Sequence, residues 1–527
     1  MKKSIYSSKY LFILAALLVA IAGGYLLMEA MHWGPWAFSD SAAYVSSARN
    51  FTAGRGFIII NSNNSTTPVT EFPPFYAIFL SLFLGRDGDP NRIIPWVNVS
   101  LFVIFLWAVG FILFDTCRNN LLALAGMLLC LFSPILLEIF SGVMSETLFF
   151  PILYVIILLT LLILQKKDEP LFILLVVFSS LLPITRYAGI LFVVMIAGML
   201  LLFYPSSRKG KWLHAGIYLI TALLPVGVWF IRLYTATNKV GGKHFRLNWS
   251  IISNFWQSIL EEFRVLKTWL PYFGIYDNPQ IDAFISIAAS ILLIGLIIYI
   301  LITLRKISKS TNPSKDNYKL FLFMAINLCA YLLFIALTHT ITVPQIDIIN
   351  RMLAPVLPMM FILLLGTVGL FLQQKQNIGI GLSILLLVIS LRFNIYQASS
   401  FIDEMKENGH GYSARQYRQS GIIEHIQALP DNQRMVSNSA GFVLYYTNRF
   451  PIQIDQFANR TFGKTNGYGE KWFREKDAAL ILLYPDFRNY YGNTADPLLA
   501  TITNGLDVAY QDETGGIYYY PGLITEP

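Results

Sequence analysis

The chain has 527 residues, of which 55% are hydrophobic and only 13% charged, with a mean hydropathy of +0.55. That is too apolar for a soluble globular chain, so lipid must be its main solvent. The formal charge of +8 would suit nucleic acid, but residues 397–527 hold 11 Lys+Arg and 15 Asp+Glu, leaving 28 and 16 to the first 396. The positive excess therefore belongs to the membrane part, where lysine and arginine set orientation, and no nucleic-acid partner is expected.

A span needs about 20 mainly apolar residues to cross roughly 30 Å of hydrocarbon, and it must be helical to satisfy its own backbone groups. The first run, Tyr10 to Met31, is longer than a signal-peptide core and reads as a retained helix. Further spans are expected at 93–114, 120–140, 147–164, 170–185, 187–204, 212–234, 281–303, 319–338, 352–372 and 378–396. The fold class is thus an α-helical polytopic membrane protein with about eleven transmembrane helices. Residues 73–84 are apolar but short, which suits a helix lying at or dipping into the outer interface.

Alternate connections carry Lys2, Lys3 and Lys9; Arg118; Lys166 and Lys167; Arg208, Lys209 and Lys211; Arg305, Lys306, Lys309, Lys315 and Lys319; and Lys375. The positive-inside rule makes that side cytoplasmic. An odd number of spans then leaves a first loop at about 32–92 and everything after 396 on the outer face of a plasma (inner) membrane. The outer loop at 235–280 is basic and aromatic, with Trp249, Trp256 and Trp269 among Lys239, Lys243, Arg246, Arg264 and Lys267. Tryptophan at that density suits an amphipathic segment in the headgroup layer, in contact with membrane lipids.

After residue 396 charges and turn residues return, and strand-like runs stand at Arg434–Ser437, Ala478–Leu483 and Gly516–Tyr520, with a helical pattern at Ser420–Leu429. The chain divides on this reading into a membrane domain, 1–396, and a small extracytoplasmic α/β domain, 397–527. Cys117, Cys130 and Cys329 lie in or beside apolar runs, and the tail has no cysteine, so no disulfide framework supports it.

Ionisable residues at the mouth of a helical bundle are costly unless they face water, a cation or a partner. Asp40 lies in the first outer loop, Glu146 at the outer junction of two spans, Arg186 and Tyr187 in a tight outer turn, and Arg351 at the start of the tenth span after a loop with His339 and Asp347. All are expected at the same leaflet. A carboxylate there could act as general base on an acceptor hydroxyl or amine, and arginines match a phosphate with planar forks of donors. A divalent cation could be held by Asp40, Glu146 and His339.

Plainer roles compete at each position. Ser39 or Asp40 could cap a following helix, Glu146 could bond between helices, and the arginines could pair or snorkel. His339 could simply end a helix, and Glu71 could only shape its loop. There is no histidine pair at metal spacing, no P-loop, no nucleotide-binding glycine fingerprint and no nucleophile elbow.

The ordered set resembles the GT-C class of polytopic glycosyltransferases, which includes protein O-mannosyltransferases and aminoarabinose transferases. The matching pieces are Asp40 followed by Tyr44, Ala48, Arg49, Asn50, Gly54 and Gly56; Glu71 to Tyr76; Ser145-Glu146; Thr185-Arg186-Tyr187; and Arg351 with Pro355 and Pro358. The tail is similar to the family's tail domains in Val436-Ser437-Asn438 and in Tyr445 to Arg449. The resemblance implies that Asp40 is the catalytic carboxylate, that Glu146 is the second-loop acid which helps bind a metal in some members, and that the donor is a sugar on a polyprenyl phosphate. Arg351 and Arg186 would then stand near its phosphate. The first loop lacks the paired Asp-Glu of the O-mannosyltransferases and the second has one acid where oligosaccharyltransferases have two, which leaves a glycan, lipid or protein acceptor open. A transporter or lipid flippase also needs polar groups in a bundle, but would place them near mid-membrane in related halves; a non-catalytic scaffold is the third reading.

Overall fold

A computed structural model of the chain describes residues 2–165, 168–238, 244–245, 251–269, 315–343, 345–373, 377–453 and 478–519. It begins with α1 (Lys2–Ala30), whose apolar part packs along α4 (Pro90–Cys117). Between them run α2 (Ser39–Thr52), the hairpin β1 (Ile58–Asn61) and β2 (Thr66–Pro68), and α3 (Phe75–Leu84). Ten residues of α3 rise about 15 Å, half of what a crossing needs.

Helix ends follow local chemistry. The Asp89 carboxylate accepts from the Asn91 amide at 2.9 Å with Pro90 at the first helical position, and α4 stops where Arg118 turns left-handed at φ 51°. The Asn119 side chain caps α5 (Asn120–Leu131), and Ser133 caps α6 (Pro134–Ser141). The expected span at 120–140 is therefore not straight: it bends by 60° between α5 and α6. Pro134 has no amide to continue the ladder, and Ser133 satisfies the Leu136 amide instead.

The bundle continues through α7 (Glu146–Gln165), α8 (Glu169–Thr185), α9 (Gly189–Phe203) and α10 (Arg208–Thr237). Next come β3 (His244–Phe245), α11 (Ile251–Lys267), α12 (Lys315–Ile341), β4 (Thr342–Val343) paired antiparallel with β3, then α13 (Asn350–Leu353), α14 (Leu357–Gln373) and α15 (Asn377–Asn408). Among the described residues six helices are long and apolar enough to cross a membrane, or seven with the bent pair, and α3, α8 and α9 are shorter apolar helices. The span expected at 281–303 lies outside the described residues. This is a multi-pass, mainly helical membrane protein.

On α11, Ile252, Trp256 and Leu260 are exposed at helical spacing, whereas Ser258 and Glu262 on its other side are buried toward α12. Arg264 and Lys267 of the loop ride on a helix with an exposed apolar stripe, the pattern of an interfacial segment, whereas Lys239, Lys243, Arg246 and Trp249 lie outside the described residues.

The composition changes at residue 396, but the helix does not. The chain continues unbroken in α15 to Asn408, because polar side chains return where a helix leaves apolar surroundings and not where its hydrogen bonds stop. Beyond it β7 (Ile452–Gln453), β5 (Arg434–Ser437), β8 (Ala478–Leu483), β10 (Gly515–Tyr519) and β9 (Asp507–Gln511) form one sheet in that order. Strand β5 runs parallel to both neighbours, and β10 is antiparallel to both of its own. The first loop and this tail are stitched together: β1 pairs in parallel with β6 (Arg449–Phe450), and α2 lies on the helix Ala440–Thr447.

Candidate active site

The site begins with a short backbone pairing. The Trp36 amide donates to the Ser141 carbonyl at 3.1 Å and the Val143 amide to the Trp36 carbonyl at 3.0 Å, so the strand-like segment after α1 runs alongside the turn between α6 and α7. The bend at Ser133-Pro134 delivers α6 to that turn, and Asn98 of α4 holds it by donating to the Gly142 carbonyl at 2.9 Å. The Ser41 hydroxyl accepts from the Phe38 amide at 3.1 Å and donates to the Val143 carbonyl at 2.8 Å. Helix α2 thus starts in a fixed place relative to α7.

Asp40 is in the first turn of α2, and Phe38 occupies the cap position. The competing expectation that Ser39 or Asp40 caps the helix is not met, since both are already helical. The Asp40 carboxylate instead accepts from Arg351, whose two terminal nitrogens are each 3.3 Å from Oδ2. The Arg351 Nε lies 3.4 Å from Glu146 Oε1, and Arg186 Nη1 lies 2.6 Å from the same oxygen. These two contacts are ion pairs without hydrogen-bond alignment. Ser145 joins the group: its hydroxyl accepts from Arg186 at 2.9 Å and from Tyr44 at 3.2 Å, and donates to Glu146 Oε2 at 3.3 Å.

Four charged residues from four parts of the chain therefore form one alternating chain: Asp40, Arg351, Glu146, Arg186. Its two carboxylates differ. The Glu146 side chain is 2% exposed, sunk at the start of α7, whereas that of Asp40 is 28% exposed and the arginines 18% and 20%. A solvent-reachable carboxylate sits at the rim, and an inaccessible one lies beneath, between two guanidiniums. The Arg351 guanidinium also lies over the Phe38 ring, 4.9 Å from its centroid. Burial pushes the Asp40 carboxyl above the ordinary carboxylate range; Arg351 pulls it back, and Glu146 pushes it further up.

The remaining candidates lie elsewhere. The Tyr187 hydroxyl accepts from Trp229 of α10 at 3.0 Å, which commits it to helix packing. His339 ends α12 with Nδ1 2.5 Å from the Ile346 carbonyl and Nε2 3.5 Å from Glu261. Asp347 and Glu71 are exposed, and neither is brought into the charged chain. Among the described residues no group of three or more His, Cys, Asp or Glu side chains assembles as a metal centre. A divalent cation needs several hard oxygen donors, and the space between Asp40 and Glu146 is filled by a guanidinium. The donor set here does not fit a metal.

Sequence reasoning did not assign roles to Trp36, Phe38, Ser41 or Met352, whose sulfur is 3.5 Å from Arg186. The aromatic pair just before the first-loop aspartate was the available signal.

No family model matches the chain, and no curated protein matches it. Among solved structures it is similar to ArnT from Cupriavidus metallidurans bound to undecaprenyl phosphate, with a TM-score of 0.57 over 99% of each chain at 11% identity. ArnT from the same organism in the apo state aligns over 98% of each chain at 12% identity with a TM-score of 0.48. The first of these shows a shared fold from end to end, the one that the resemblance to the GT-C class led us to expect.

Proposed function

We propose that the protein is a GT-C type glycosyltransferase that moves a sugar from a polyprenyl-phosphate donor to an acceptor at the outer face of the membrane. The observation that carries the reading is the Asp40–Arg351–Glu146–Arg186 chain, which pairs a reachable carboxylate with two arginines at one end of an apolar bundle. The fold is shared with a protein crystallised with undecaprenyl phosphate, which makes a lipid phosphate the natural donor class. On this reading eleven spans place the N-terminus in the cytoplasm and the α/β tail outside the plasma membrane.

Asp40 takes the proton of the acceptor hydroxyl or amine as that atom attacks the anomeric carbon. The bond from that carbon to the phosphate oxygen breaks, and the electron pair leaves with the polyprenyl phosphate. Direct displacement inverts the configuration at the sugar and needs no covalent enzyme intermediate. Arg351 and Arg186 take the charge that grows on the leaving phosphate, acting as planar donors already positioned at the rim of the bundle. Glu146 holds both guanidiniums in place through their ion pairs and keeps the resting site electrically balanced. Arg351 also touches Asp40, so its move toward an incoming phosphate would free the carboxylate to act as base. No step is routed through a metal.

A transporter would need its charged groups in the middle of the bundle, whereas these sit where α2, α7, α8 and α13 begin or end. The test is incubation of the purified protein with polyprenyl-phosphate sugars and candidate glycan, lipid and protein acceptors, read by mass spectrometry. Sugar transfer by the wild type supports the reading; unaltered donor with every acceptor argues against it.

A further inference from the structure

Arg351 is carried by α13, a helix of only four residues. A single turn does not hold its own place, because it fixes several dihedrals in return for very few hydrogen bonds. Here the amides of Met352 and Leu353 both donate to the Ile349 carbonyl, at 3.0 and 3.3 Å, and Ile349 at the cap position offers no side-chain acceptor. The contacts of Arg351 with Asp40, at 3.3 Å, are also long beside the roughly 2.7–2.9 Å of a charge-assisted hydrogen bond, so a small displacement of the turn would break them. What fixes Arg351 must come from outside α13.

Two anchors bracket it, one on the residue after and one on the residue before. Tyr331 of α12, 1% exposed, donates its hydroxyl to the Met352 carbonyl at 2.8 Å. Trp269 Nε1 donates to Asn350 Oδ1 at 2.9 Å. An indole N–H can only donate, so this bond also fixes which way the Asn350 amide points.

The chemistry above uses neither anchor, and Trp269 is the one that composition disguises. The loop sequence groups it with Trp249 and Trp256 as a residue of the headgroup layer. Trp256 is indeed 61% exposed on the stripe of α11. Trp269, just past the end of that helix, is instead partly buried against the core, and its polar atom is committed to Asn350. Helix α11 is itself fixed on α12, where the buried hydroxyls of Ser258 and Thr340 meet at 3.0 Å. Trp269 thus ties the turn that carries Arg351 to an anchored support.

We infer that Trp269 is a positioning residue for the transfer reaction: through Asn350 it holds Arg351 where it can pair with Asp40 and meet the leaving phosphate. The part of this that names a reaction rests on the glycosyltransferase reading; the hold on Arg351 does not.

The test uses full-length protein in detergent and two variants. Trp269→Phe keeps a ring and removes the donor, and Asn350→Ala removes the acceptor. Hydrogen exchange over residues 350–353 needs no substrate. It should be about three- to tenfold faster in both variants, the loss of one hydrogen bond, with exchange across α12 unchanged. Sugar transfer from a polyprenyl-phosphate sugar is followed against pH in the same preparations. Turnover should fall with little change in the donor KM, and the acid limb of the profile should move to higher pH in both variants, because a displaced Arg351 no longer favours the charged form of Asp40. In an Arg351→Met background Trp269→Phe should move the limb no further. Unchanged exchange over residues 350–353 overturns the proposal whether or not the protein transfers sugar. A limb that stays in place in both variants, or a further shift in the Arg351→Met background, overturns it as well. Faster local exchange in a protein whose wild type transfers no sugar sinks the transfer reading alone. Should Trp269→Phe fail to accumulate, Asn350→Ala carries the same readings.

Discussion

Both terminal nitrogens of Arg351 lie 3.3 Å from a single oxygen of Asp40, a residue 311 positions earlier in the chain. The pair couples the acid that would accept a proton to the cation that would meet a phosphate. It also sets a pH dependence with a definite sign. A general base works deprotonated, so transfer falls as pH drops through the Asp40 pKa, and burial puts that limb above the ordinary aspartate value. Arg351 opposes the rise, so Arg351→Met should move the acid limb of the pH–rate profile to higher pH, besides lowering activity. A limb in the same place in both proteins would show that Arg351 does not act on Asp40.

Glu146 is the buried junction between the two arginines. Glu146→Gln leaves Arg186 without its counter-charge and Arg351 with Asp40 alone; removing one partner of a buried pair costs about 3–5 kcal/mol. The low end applies, because the arginine side chains remain 18% and 20% exposed. Thermal unfolding in detergent should report the loss, and Glu146→Gln combined with Arg186→Met should recover part of it. Additive losses in the double variant would mean that the two residues do not interact.

The hydroxyl of Ser41 ties the start of α2 to the turn before α7 through Phe38 and Val143. Ser41→Ala should cost about 1 kcal/mol of stability. Because the same bonds position Asp40, turnover should fall more than the apparent donor affinity. A variant that alters neither quantity would place the alignment of α2 elsewhere.

On α11, Glu262 is 4% exposed with one carboxylate oxygen unpartnered, and burial pushes its pKa up to about 8. A carboxyl raised in the folded state stabilises most below its unfolded pKa, and that contribution is lost as pH rises through about 8. Docking of α11 on α12 should therefore weaken progressively as pH rises to about 8, with Glu261 and His339 close by as further titratable groups of the contact. Hydrogen exchange over residues 251–267 measures this directly. Glu262→Gln should remove the pH dependence, and exchange that is flat across this range in the wild type would refute it.

Much of the bundle was readable because a crossing helix writes itself as a long apolar run, and the short stretch at 73–84 declared its brevity in the same way. The strands Arg434–Ser437 and Ala478–Leu483 were readable from their apolar runs. The kink within 120–140 was not: Ser133-Pro134 sits inside an unbroken apolar pattern, and hydropathy does not register a missing amide. The step at residue 396 marked a change of surroundings and not the end of α15. At the site, the topology put Asp40, Glu146, Arg186 and Arg351 at one membrane face, but only the tertiary fold decides which of several ionisable residues at that face touch. Tyr187 turned to Trp229 and His339 to Ile346. The parallel pairing of β1 with β6 joins segments almost 400 residues apart and left no trace in local pattern.

The most direct test of the account is release of polyprenyl phosphate from a polyprenyl-phosphate sugar by reconstituted wild-type protein and by Asp40→Asn, at matched abundance in the membrane. The wild type should release the carrier in step with glycosylation of the acceptor, and the variant should be slower by about 10²–10⁴-fold, the usual contribution of a general base. Equal rates in the two proteins would contradict the assignment of Asp40 as the base, and with it the mechanism built on the charged chain.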